Sequence, residues 1–297
     1  QLSLNLWGMY SGSGSQTAVA SSVSGDSVAW ETTWSWSGGE NSVKSYSNVG
    51  LTSGLGVALS EISSIPTTWD WKVSGGASSA VFDVSYDWWL SADPSCGNAV
   101  SCSTVEVMLW LGGYGACTPA GSKVGTVTVA GLQWEYWTGT VQNWDIYSFV
   151  APSPITSYDG DLNDFNAYII KNGGVSSSQY LTAVQAGTEP FTGSAVTFTT
   201  TAYSAKVVSG GEVISSTSAS SVSSTSSKAV SSSTTVKTST TTAKAASTTT
   251  TKAPSTTVAS SSSASASSGA CGSAYSQCGG QGFSGSSCCK SFYLLLC

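Results

Sequence analysis

Two glutamates in this 297-residue chain stand where a carboxylate is unusual and could do chemistry. Glu106 lies in Val105-Glu106-Val107-Met108-Leu109-Trp110, which alternates at period two. As a strand, this stretch turns Val105, Val107 and Leu109 one way and Glu106, Met108 and Trp110 the other. A carboxylate sharing a face with Met and Trp is costly to bury and out of place on a solvated strand, where Thr, Ser or Lys is usual. A paired cation or an edge hydrogen bond is the structural explanation, and a cleft the chemical one. Glu189 lies in Gly187-Thr188-Glu189-Pro190-Phe191-Thr192-Gly193, at the end of a Tyr180 to Gln185 strand, with Pro190 fixing the backbone after it. Its structural alternative is a turn-lining surface Glu. Two glutamates on neighbouring strands of an aromatic groove suit glycoside hydrolysis, one as nucleophile and one as acid/base, roughly 5 to 5.5 Å apart in the retaining arrangement. The charge of one then holds the other protonated near the working pH.

Composition narrows the alternatives. The chain has no His and no Arg, so a Ser-His-Asp triad, a Cys-His pair and a His-ligated zinc site are excluded. It has no Gly-rich phosphate loop, and a net charge of -6 with a pI near 4.5 argues against nucleic acid. No apolar run of about 18 residues is available to span a membrane. Carboxylate chemistry remains, and it calls for no cofactor and no metal. Trp and Tyr each occur 12 times, more than a core of this size needs. Any single Trp is more often core than ligand, but the excess as a group points to rings stacking on sugars.

The elements that must position these groups read as strands. Segments 28–36, 43–46, 80–86, 124–129, 133–137, 146–150, 181–185 and 195–200 are short, β-branched or aromatic, and separated by Gly, Ser, Asn or Pro. Such spacing predicts an all-β sandwich or jelly roll of two packed antiparallel sheets. One helix is predicted over 161–171, with apolar residues at 162, 165 and 169, an Asp available as N-cap, Lys171 in the last turn and Gly173 beyond. It is expected against the outside of one sheet.

Three parts follow from the composition along the chain. Residues 209–269 are Ser, Thr, Ala and Val with scattered Lys and no aromatic residue. With nothing to bury, this stretch reads as a disordered, O-glycosylated linker. It separates a unit at 1–208 from a Cys- and Gly-rich unit at 270–297. Eight Cys favour an oxidising, extracellular compartment. Gln1 is not Met and no leader pattern precedes it, so a removed signal peptide is expected. Cys96 and Cys102 flank a short loop before the Glu106 strand and are expected to bond to each other, whereas Cys117 has no evident partner.

Several motifs occur in order: Asn5-Leu6-Trp7-Gly8 with Gly12-Ser13-Gly14-Ser15-Gln16, Trp34 to Gly39, Val43 to Tyr46, Glu106 to Trp110, Gly160 to Phe165, and Gly187 to Gly193. Through them the chain resembles, from Leu6 to about Lys206, glycoside hydrolase family 12, the fungal endo-β-1,4-glucanases and xyloglucanases. The resemblance implies a β-jelly roll with one helix, Glu106 as nucleophile and Glu189 as acid/base. It further implies that Asp87, in Tyr86-Asp87-Trp88, tunes the nucleophile, and that Asn5, Trp7, Met108, Trp110 and Pro119 line the cleft. Fungal members carry about ten more N-terminal residues, including a Cys bonded to a position occupied here by Thr17. The loss of that edge strand and bridge is expected to cost stability, about 2 to 4 kcal/mol for the bridge, more than chemistry.

The last unit, beginning Cys271-Gly272-Ser273-Ala274-Tyr275-Ser276-Gln277-Cys278, resembles a fungal family 1 cellulose-binding module, a small disulfide-stapled fold. Tyr275, Gln277, Phe283 and Tyr293 are its expected cellulose-facing residues. After Cys288-Cys289 the pattern departs, ending in Lys290 to Cys297, and its five cysteines cannot all pair among themselves. The implied protein is a secreted, monomeric, retaining endo-β-1,4-glucanase acting on cellulose or mixed-linkage β-glucan. The linker, at most roughly 200 Å at about 3.3 Å per residue, tethers it near a surface. Xyloglucan is the rival substrate: Ser24 to Trp30 resembles the xyloglucanase branch, whereas Val23 and Cys117-Thr118-Pro119 do not. A non-catalytic glucan-binding or wall-loosening jelly roll is the rival of another class, and binding alone would not need the carboxylate pair.

Overall fold

Alternation along the chain resolves into strands over residues 1–210, the part that this computed structural model describes; the expectations for 211–297, including Tyr275, Gln277, Phe283 and Tyr293, lie outside the described residues. In chain order the strands are β1 (Leu2–Ser3), β2 (Ser13–Ser24), β3 (Ser27–Ser37), β4 (Ser47–Gly50), β5 (Val57–Ala58), β6 (Ile62–Ser64), β7 (Pro66–Gly75) and β8 (Val81–Ser91). They continue as β9 (Ser103–Tyr114), β10 (Ser122–Val129), β11 (Leu132–Val141), β12 (Trp144–Val150), β13 (Ser157–Asp161), β14 (Tyr180–Ala205) and β15 (Val208–Ser209), with α1 (Asn163–Asn172) between β13 and β14. A front sheet runs β1-β4-β14-β8-β9-β12-β11-β10. A back sheet runs β2-β3-β14-β7-β13. Pairing is antiparallel throughout these two sheets except between β9 and β12. This is the expected all-β jelly roll.

The core lies between the sheets and is built from aromatic residues at alternate positions. Trp34 meets Phe82 edge-on at 5.2 Å, and Trp69 meets Tyr86 at 4.8 Å, joining back sheet to front. Of the 12 Trp, all but Trp7 and Trp137 are buried. Most of the aromatic excess therefore makes core, not a platform for sugar.

Four local expectations are corrected. Segments 181–185 and 195–200 are one strand, β14, of 26 residues. Up to Thr192 it pairs with β8, and from Gly193 onward it pairs with β3 and β7. Register shifts at Pro190/Thr192 and Gly193/Val196 mark where it passes from one sheet to the other, as bulges bend a strand. Segment 43–46 is not a strand, because its amides leave the ladder: Lys44 N donates to Pro190 O at 2.9 Å and Tyr46 N to Asn5 O at 3.0 Å. The strand β7 went unread although Thr67, Trp69 and Trp71 alternate with exposed Thr68, Asp70 and Lys72. Finally, α1 does not lie on an outer face. Its Phe165 packs on Phe149 at 5.0 Å and Trp134 at 5.5 Å within the main core. The expected N-cap Asp161 precedes the helix by one residue more than a cap, yet its Oδ1 accepts from Asn163 N at 2.9 Å.

Lys44 is fully buried without a carboxylate partner. Its Nζ donates to Gly39 O at 2.7 Å, Ser42 O at 2.6 Å and Phe191 O at 2.9 Å, tying the turn before β4 to β14 beyond Glu189. A side chain at Gly12 would collide with the Ser37 and Gly38 carbonyls as well as the Lys44 stem, which accounts for glycine there.

Candidate active site

The site is built on β8, between β14 and β9 at the centre of the front sheet. Phe82, Val84, Tyr86 and Trp88 point into the core, so Asp83, Ser85, Asp87 and Trp89 point to the outer, cleft-facing side. Register places Glu189 opposite Asp83 and Gln185 opposite Asp87 on β14. On β9, Glu106 stands opposite Trp89, Met108 opposite Asp87 and Trp110 opposite Ser85. Both sequence-identified glutamates and Asp87 thus share one face.

Indole donors hold two of these carboxylates. Trp144 Nε1 donates to Glu106 Oε2 at 2.7 Å, and Trp89 Nε1 donates to Asp87 Oδ2 at 3.1 Å. The two rings meet edge-on at 5.0 Å, so each helps to fix the other. The only ion pair among the described residues, Lys123–Glu135 at 2.6 Å, lies out toward β10 and β11. No Arg or His exists to neutralise the cluster.

Burial therefore dominates the electrostatics and favours the neutral acid. Glu106 is pushed up to about 7 by burial, opposed by the Trp144 hydrogen bond. Asp87 is raised by burial and then by the Glu106 charge, and the Trp89 bond opposes both. Glu189 is raised well above the carboxylate range by burial, then by Asp83, Asp87 and Glu106. The four groups titrate as one set, with raised affinity for protons at its least solvated members.

The remaining expected residues fall in several places. Met108 and Trp110, 4% and 3% exposed, form a small cluster with Ile146 and make floor more than open platform. Trp7 is 45% exposed and free to meet a ligand. Asn5 adopts φ 42°, a left-handed conformation that Asn tolerates, and its carbonyl receives Tyr46 N. Pro119 is buried in the loop between β9 and β10. Cys96 and Cys102 form the expected disulfide, Cα to Cα 5.9 Å, just before β9. Among the described residues Cys117 has no disulfide partner and donates to Phe82 O and Tyr114 O; burial and then the Asp83 charge push its thiol up to about 12, which disfavours the thiolate.

Sequence reasoning missed Asp83 and Trp144. Asp83 carried a readable signal, since Asp83-Val84-Ser85-Tyr86-Asp87 puts three polar residues on one face of an apolar strand. Trp144 carried none, because its contact with Glu106 depends on the parallel pairing of β9 with β12.

The sequence model described as Glycosyl hydrolase family 12 matches residues 1–208, and that of the Fungal cellulose binding domain matches residues 274–293. A xyloglucan-specific endo-beta-1,4-glucanase A from Aspergillus aculeatus is 48% identical over 206 residues, 68% of this chain and 83% of that protein. Endoglucanase A from Aspergillus kawachii is 45% identical over 208 residues, 68% of this chain and 85% of that protein. Among solved structures, endoglucanase 3 of Trichoderma harzianum aligns with a TM-score of 0.66 and 38% identity, covering 70% of this chain and 90% of the other.

Proposed function

The chain belongs to glycosyl hydrolase family 12 and is a glycoside hydrolase; from that premise we propose that it is a secreted, monomeric, retaining endo-β-1,4-glucanase that cuts internal bonds of plant cell-wall β-glucan. The observation carrying this reading is the placement of Glu106 and Glu189 on one face of the front sheet, close enough that the charge of one raises the other. In the proposed reaction, Glu106 attacks the anomeric carbon while Glu189 protonates the departing glycosidic oxygen. Glu189 then takes a proton from the water that releases the glycosyl-enzyme. Asp87 modulates Glu106, and Asn5, Trp7, Met108, Trp110 and Pro119 border the glucan. Residues 1–208 are the catalytic unit, 209–269 the linker and 270–297 the module that meets cellulose through Tyr275, Gln277, Phe283 and Tyr293; the family match at 274–293 supports that module.

Xyloglucan is the second reading of the substrate, favoured by the name of the 48% identical relative. Reducing-sugar release from tamarind xyloglucan, barley mixed-linkage glucan and carboxymethylcellulose separates the two. A xyloglucan rate at least about tenfold above the others assigns the substrate to that branch, about 1.4 kcal/mol of transition-state discrimination. The reverse ranking assigns it to unbranched glucan. Unchanged viscosity with all three polymers would reject catalysis.

Trp144 gives a further expected result. Its indole hydrogen bond favours the ionised form of Glu106, the form that attacks. Trp144→Phe removes that bond, raises the Glu106 pKa and moves the acidic limb of the kcat/KM profile to higher pH, with a loss of about 10-fold at the optimum. An unmoved acidic limb would show that the indole does not serve the nucleophile.

A further inference from the structure

Asp83 is fully buried on the cleft face, and the reaction assigned to Glu106 and Glu189 gives it no task. It stands directly opposite Glu189 across β8 and β14. Its Oδ1 accepts from Ser85 Oγ at 2.8 Å and the Glu189 backbone amide lies near enough to favour its charge, but no side-chain donor reaches its buried Oδ2. The side chain within hydrogen-bonding reach is the Glu189 carboxyl. Two carboxylate oxygens repel at that range unless a proton lies between them, and an unpaired buried charge is costly.

The neighbouring side chains supply neither a cation nor a free proton. Those facing the pair are Asp87 on β8, Glu106 on β9, Tyr46 ahead of β4 and Cys117 in the loop after β9, all of them acids. Tyr46 gives its hydroxyl proton to Ser85 O at 3.0 Å, and Thr188 gives its own to the Asp83 carbonyl at 2.5 Å. Lys44, whose ammonium reaches β14 at Phe191 O, spends its three donors on backbone carbonyls.

We propose that Asp83 is a positioning residue that shares one proton with Glu189, so that the acid/base works as a carboxyl–carboxylate pair. This rests on the reading of Glu189 as acid/base. In the first step the shared proton passes from Glu189 to the glycosidic oxygen as the bond from C1 to that oxygen breaks, leaving both members of the pair ionised. In the second, a water proton returns to Glu189 as the water oxygen bonds to C1 and Glu106 departs, restoring one proton to the pair. The Asp83 charge makes Glu189 a weaker acid and a stronger base, which favours the second step. Burial raises both groups, Asp83 to about 7, consistent with a pair that keeps its proton into the neutral range.

The test is carboxyl 13C NMR titration of Glu189 in the full chain and in Asp83→Asn. The expected result is two-step titration in the wild type and a Glu189 pKa at least one unit lower in the variant. Stopped-flow kinetics on a dinitrophenyl cellooligosaccharide, whose leaving group needs no acid, should show an unchanged burst and at least 5-fold slower turnover of the glycosyl-enzyme. If Asp83→Asn does not fold, the wild-type titration decides, because a single unperturbed step for Glu189 overturns the pair. Failure of the acid/base reading shows separately, as full activity in Glu189→Gln, since the titration is read in the resting protein.

Discussion

Glu106→Ala and Glu189→Ala each lose at least about 10³-fold in kcat on glucan polymer, and added azide separates their roles. The two half-buried carboxyls share the cleft face, so azide can enter the space left by either. With a dinitrophenyl glycoside, Glu189→Ala still forms the glycosyl-enzyme through Glu106. Azide then attacks from the side where water would have entered, giving the β-glycosyl azide at a restored rate. In Glu106→Ala azide replaces the nucleophile, and the α-glycosyl azide forms with inversion. Product anomers read by NMR check this. The same anomer from both variants, or residual polymer cleavage above about 10% in either, would overturn the assignment.

Lys44→Met is expected to lower stability by about 3 kcal/mol, and the melting temperature by about 6 to 12 °C. Gly39 O would keep its bond from Ser42 N, but Ser42 O and Phe191 O would lose the Nζ donor, and each such loss costs about 1 to 3 kcal/mol. Relief from burying the ammonium, which already lowers the Lys44 pKa, offsets part of that. Because one of the three carbonyls belongs to Phe191, two residues beyond Glu189, kcat should fall as well while KM changes little. Thermal unfolding and steady-state kinetics at 25 °C check both, and an unchanged melting temperature would show that water replaces the ammonium.

Alternation was legible wherever one side of a strand met the core and the other did not, as at Val105 to Trp110, and there the sequence reading was reliable. It failed where backbone hydrogen bonds leave the ladder, as at Lys44 and Tyr46, because apolar spacing does not say where an amide donates. It also split β14, since Pro190 and Gly193 read as a break when they are the bend of one strand. In the site, Glu106 and Glu189 stood out because a lone carboxylate among apolar neighbours is locally anomalous. Asp83 and Asp87 share one strand, so their relation to those glutamates appears only with the register of β9 and β14. Trp144 needed a parallel pairing that no local pattern encodes.

The long strand β14 has a consequence for how the chain comes to be active. It sits between β4 and β8 in one sheet and between β3 and β7 in the other, so it is an interior strand of both. It is also among the last described elements to leave the ribosome. Until Tyr180–Ala205 has been synthesised, each sheet is in two separate pieces with open edges, and Glu189 is absent. Assembly of the structure and the meeting of Glu106 with Glu189 are then one late event. A chain stopped before Tyr180 is not a weakened enzyme but an aggregation-prone nascent polypeptide, and heating should abolish activity and structure in one transition.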